Sequence, residues 1–63
     1  MIEVKYLYIH KNGIVTQHYA YFYHPNKALK FMYKCNNSKT LVYTGEFSCT
    51  DPIDTEYINR RFK

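Results

Sequence analysis

Sixty-three residues make a single domain with no room for a deep enzyme cleft, because a chain this short buries only about three fifths of its unfolded surface. Eight tyrosines and four phenylalanines, each able to bury roughly 150–250 Å², stand in for the disulfides or metal that small scaffolds otherwise need. Nine basic residues against five acidic ones give a net charge of +4, which attracts nucleic acid or an acidic protein patch and does not choose between them.

The first predicted element is a hairpin over residues 2–23. Asn12-Gly13 between two alternating runs signals a two-residue type I′ turn. Folding about it pairs Lys11 with Ile14, His10 with Val15, Tyr8 with Gln17, Tyr6 with Tyr19, Val4 with Tyr21 and Ile2 with Tyr23. That register gathers an aromatic and β-branched ladder on one face. Glu3, Lys5, Leu7, Ile9, Thr16, His18, Ala20 and Phe22 fall on the other, which is mixed.

His24-Pro25-Asn26 breaks the strand, and Asn26 is placed to cap a helix over about 26–36. Ala28, Leu29, Phe31, Met32, Tyr33 and Cys35 share one arc of that helix, with Lys27, Lys30 and Lys34 on the opposite side. Asn36-Asn37-Ser38-Lys39 ends it, asparagine being tolerant of the left-handed cap conformation. The triplet Asn36-Asn37-Ser38 also matches a glycosylation sequon, for which a helix end is the preferred reading.

Residues 40–48 alternate again, with Leu41, Tyr43 and Phe47 on one face and Val42, Thr44, Glu46 and Ser48 on the other, and predict a third strand in which Gly45 marks a bulge or a close approach. Thr50-Asp51-Pro52 opens a short helix over about 52–62, its acids Asp51, Asp54 and Glu56 early and its bases Arg60, Arg61 and Lys63 late, as the helix dipole favours. Ile53, Tyr57, Ile58 and Phe62 are its expected docking residues. The fold class is therefore α+β: a three-stranded antiparallel sheet in the order β-β-α-β, one helix packed on the aromatic ladder and a short C-terminal helix.

No constellation for catalysis, cofactor or metal binding emerges, so the protein is expected not to be an enzyme. In the predicted register His10 projects away from His18 and His24, and Cys35 and Cys49 lack the spacing of a zinc site. Two glycines rule out a glycine-rich phosphate loop. No signal sequence and no apolar run of membrane-spanning length occurs, which together with unpaired cysteines predicts a cytoplasmic protein.

Binding is the remaining class. Leu7 and Ile9, with Ala20 and Phe22, would lie on the face the helix leaves open, an apolar patch of the kind that marks an interface. Phe22 and Tyr43 are candidate desolvated anchors, and Lys27, Lys30 and Lys34 candidate steering charges. Tyrosines interleaved with lysines also suit single-stranded nucleic acid, and an exposed edge strand suits a homodimer or a larger assembly. Richness in tyrosine, lysine, asparagine and isoleucine, with few alanines and glycines, points to an AT-rich genome. In size, composition and predicted topology the chain resembles the accessory proteins of bacteriophages and other mobile elements. The resemblance implies a protein that binds and inhibits or redirects a host enzyme, defence complex or toxin.

Overall fold

The computed structural model describes residues 1–62 and contains β1 (Ile2–Ile9), β2 (Val15–Phe22), α1 (Pro25–Asn36), β3 (Leu41–Cys49) and α2 (Pro52–Arg61). β1 is the central strand of a three-stranded sheet of order β2-β1-β3, antiparallel to both neighbours. Both helices lie on one face of this sheet, giving the predicted α+β architecture.

The hairpin turn departs from prediction by one residue. The Gly13 N–H donates to the His10 carbonyl at 2.9 Å and the His10 N–H to the Ile14 carbonyl at 2.8 Å, with Gly13 at φ 86°. This is a three-residue loop, a type I turn through Lys11-Asn12 followed by a left-handed glycine that makes a bulge. The two-residue alternative would put Asn12 in the left-handed region as well, and among the described residues only glycines go there. Asn12 instead accepts a hydrogen bond from the Ile14 N–H at 3.0 Å. The register becomes Ile9↔Val15, Leu7↔Gln17, Lys5↔Tyr19, Glu3↔Tyr21 and Ile2↔Phe22. Because side chains alternate along a strand, a slip of one residue turns all of β2 over relative to β1.

The helix face of the sheet now carries Ile2, Val4 and Tyr6 from β1 with Ala20 and Phe22 from β2. α1 docks there because its arc is apolar: Ala28, Leu29, Met32 and Cys35 are buried. α1 starts at Pro25, one residue before the predicted Asn26 cap, since proline's fixed φ suits the first helical position and its missing N–H costs nothing there. Asn26 serves elsewhere, its Oδ1 accepting from the Tyr57 hydroxyl at 2.6 Å. At the other end Asn37 has φ −103°, not the left-handed cap predicted, and its side-chain amide donates to the Tyr33 carbonyl at 3.1 Å.

In β3 the ladder with β1 is interrupted opposite Lys5: Val4 pairs with Phe47 but Tyr6 with Tyr43, leaving Thr44, Gly45 and Glu46 facing one residue. Gly45 at φ 90° makes the predicted bulge. Two extra residues preserve the alternation, so Tyr43 and Phe47 both remain on the helix face. α2 is capped by Asp51, whose carboxylate accepts from the Ile53 N–H at 2.9 Å. Ile58 is fully buried and joins Ile2, Val4, Ala28, Leu29 and Met32 in one core, with Tyr57 and Phe62 packed at its margin. The Tyr33 hydroxyl ties the helices together by donating to the Arg61 carbonyl at 2.7 Å. Ile53 does not dock as predicted; it is 74% exposed. Lys63 lies outside the described residues.

Candidate functional site

The sheet face away from the helices is left uncovered by intramolecular packing. Its rows follow from the register: Tyr21-Glu3-Ser48, Tyr19-Lys5, Gln17-Leu7-Val42 and Val15-Ile9. Tyr19 is 46% exposed, Tyr21 58%, Val15 51% and Val42 40%. One end of the face is polar and the other apolar.

At the polar end Lys5 Nζ donates to Glu46 Oε2 at 3.0 Å, an ion pair that the β3 bulge makes reachable. The hydrogen bond to Glu46, and then its charge, hold the Lys5 ammonium protonated above the ordinary lysine range. Thr44 closes the bulge by donating from Oγ1 to the Lys5 carbonyl at 3.0 Å. The Tyr21 hydroxyl is pushed above its ordinary range by desolvation and by the Glu3 carboxylate. At the apolar end Leu7, Ile9, Val15 and Val42 form a contiguous patch, with Gln17 donating from Nε2 to the Tyr19 hydroxyl at 3.1 Å.

The predicted binding residues divide among three places. Leu7 and Ile9 do lie on the uncovered face. Phe22 does not: the register puts it against α1, its ring 5.5 Å from that of Phe31. Tyr43 also faces the helices, edge-on to Phe62 with centroids 5.2 Å apart, and burial raises its hydroxyl above the ordinary value. Lys27, Lys30 and Lys34 are exposed on α1, on the side turned away from the sheet, so no flat partner touches both them and Leu7. Sequence reasoning placed Tyr19, Tyr21, Val15 and Gln17 on the ladder face expected under the helix, and the signal that puts them on the open face is a three-residue reading of the turn.

The same slip corrects the histidines. His10 and His18 share the helix-side face of the hairpin tip, and both converge on Thr16, whose Oγ1 is 2.8 Å from His10 Nε2 and 2.7 Å from His18 Nε2. A hydroxyl has one proton to give and two lone pairs, so donating to one ring and accepting from the other partners the hydroxyl and both Nε2 atoms. Tyr8 and Tyr6 flank the pair, with centroids 4.7 Å from His10 and 5.5 Å from His18. Among the described residues no three His, Cys, Asp or Glu side chains come together as metal ligands. Both cysteines are free; Cys35 is buried, and burial pushes its thiol up, away from the reactive thiolate.

No protein-family model, curated protein or solved structure matches this chain. Among the described residues no helix is long and apolar enough to cross a membrane.

Proposed function

We propose that this protein is a non-enzymatic binding domain that docks a protein partner on its uncovered sheet face and acts by occluding the partner's working surface. The observation that carries this reading is the pairing of Lys5 with Tyr19 and Glu3 with Tyr21, which sets two exposed tyrosines beside Leu7 and Ile9 on a face with a polar rim at one end. Tyrosine is enriched at protein interfaces because it adds large contact area and one hydrogen-bonding group. The charges favour protein over nucleic acid. The one base of the tyrosine rows is Lys5, engaged by Glu46 and accompanied by Glu3, so among the described residues bases stacked on Tyr19 and Tyr21 would meet no free cation in those rows. Lys27, Lys30 and Lys34 keep the role of long-range steering toward an acidic partner rather than contact. The likeness in size and composition to bacteriophage accessory proteins supports a host protein as the partner, met in the host cytoplasm: an enzyme, a defence complex or a toxin that the domain inhibits.

The test is a tagged pull-down from bacterial lysate with and without nuclease, repeated with Tyr19→Ser and with Lys27, Lys30 and Lys34 replaced by Glu. One protein retained stoichiometrically despite nuclease is expected. Tyr19→Ser should weaken its binding roughly tenfold or more, as loss of an interface anchor does, whereas the lysine replacements should slow association and flatten its salt dependence. A catch that disappears with nuclease, or one indifferent to Tyr19, removes the proposal.

A further inference from the structure

The two edges of the sheet are unequal. β3 carries a bulge, Gly45 and Glu46, features that spoil an edge for pairing with another chain. β2 carries none of these. It runs eight residues, Val15–Phe22, without bulge, proline or charge, inside a stretch between Lys11 and Lys27 that holds no Asp, Glu, Lys or Arg. A net charge of +4 elsewhere makes the neutrality of this edge more distinctive. The hydrogen bond from the His10 N–H to the Ile14 carbonyl fixes the phase of the ladder. By the alternation of antiparallel pairs, Thr16, His18, Ala20 and Phe22 turn their backbone groups toward β1, and Val15, Gln17, Tyr19 and Tyr21 turn theirs outward.

We propose that β2 pairs with β2 of a second copy of this chain, antiparallel about a two-fold axis through His18, to form a continuous six-stranded sheet. One register engages every outward residue: Val15 opposite Tyr21 of the other copy and Gln17 opposite Tyr19, each repeated by symmetry. The pairs suit one another, a β-branched side chain with an aromatic ring and an amide with a phenol. A partner of the same kind fits because the strand is neutral and meets only itself, so no like charges oppose each other on the edge. A strand of unrelated sequence would have no such guarantee. α2 packs on α1 and β3, on the far side of the sheet from this edge, and leaves it clear. Pairing about this axis keeps both helix layers on one side and merges the two open faces, bringing Tyr19 and Tyr21 of both copies together. The edge uses backbone groups rather than the face itself, so this inference stands or falls separately from the proposed function.

Sedimentation equilibrium on the full chain should show a monomer–dimer equilibrium. His18 meets its own copy at the axis, so His18→Lys sets two cations face to face and should weaken dimerisation by about tenfold or more, with His18→Gln close to wild type. In a Cys49→Ser background, His18→Cys should oxidise to a covalent dimer, because the opposed Cα atoms of a non-hydrogen-bonded pair lie about 4.5 Å apart. Thr16→Cys, which faces Ala20 of the other copy, should not. Should the variants misfold, amide exchange on the wild type decides: protection of Val15, Gln17, Tyr19 and Tyr21 must rise with protein concentration. A monomer up to about 1 mM, a dimer indifferent to His18→Lys, equal cross-linking at Thr16 and His18, or concentration-independent exchange would each overturn the proposal.

Discussion

A single dihedral angle decides which tyrosines this protein shows to its surroundings. Asn12-Gly13 suits a two-residue loop and also the last two positions of a three-residue one, since both place Gly13 in the left-handed region. The choice turns on Asn12, which stays out of that region and accepts from the Ile14 N–H instead. Gly13 has φ 86° and nothing within 4 Å of where a Cβ would stand, so Gly13→Ala should lose stability through backbone strain alone, by about 1–2 kcal/mol. Gly13→Asn should lose less, because asparagine tolerates the left-handed region. Urea unfolding of the pair of variants measures this; an alanine variant as stable as the parent would mean that the loop has another conformation.

At the scale of elements, the strands and helices were legible because each carries its own periodicity: alternation in β1, β2 and β3, an apolar arc in α1, and Thr50-Asp51-Pro52 ahead of α2. The relation between elements was less so. Face assignment in β2 depends on counting loop residues, which periodicity does not report, and so Phe22 moved into the packing against α1 while Tyr19 and Tyr21 moved out. α2 shows the same limit within one helix. Ile53 and Ile58 look alike in sequence, yet Ile58 meets the core and Ile53, beside Glu56 and Arg60, faces out. Ile58→Ala should cost about 2–5 kcal/mol and Ile53→Ala within about 0.5 kcal/mol of nothing. Equal losses in thermal or urea denaturation would contradict the docking of α2, whereas the expected contrast would make that helix part of the cooperative unit rather than an appendage.

For the whole molecule the consequence is a thin core shared by all layers, in which a chain of 63 residues holds only about 0.05–0.15 kcal/mol of stability per residue. Small titration effects are therefore visible in its overall stability. Four groups act in the same direction on the alkaline side, one of them the Tyr21 hydroxyl beside Glu3, held above its ordinary 10.0. Burial raises the Cys35 thiol above its ordinary 9.0 and the Tyr43 hydroxyl above its ordinary 10.0, while the Glu46 hydrogen bond and charge raise Lys5 above 10.5. For each, the folded chain keeps its proton to higher pH than the unfolded chain does. Above pH 9 the unfolded state thus binds fewer protons than the native one, and unfolding becomes easier as pH rises. The contributions of Cys35, Tyr43, Tyr21 and Lys5 are fully present at neutral pH, and their loss begins near 9 with Cys35 and continues past 10 with Tyr43, Tyr21 and Lys5. Urea midpoints should accordingly hold level from pH 7 to 8 and fall between 9 and 11. Cys35→Ala, though less stable throughout, should delay the start of that fall, since it removes the first group to titrate. A midpoint that stays flat to pH 11, or one that falls identically with and without Cys35, would show that the thiol is not buried in the folded chain as the structure has it.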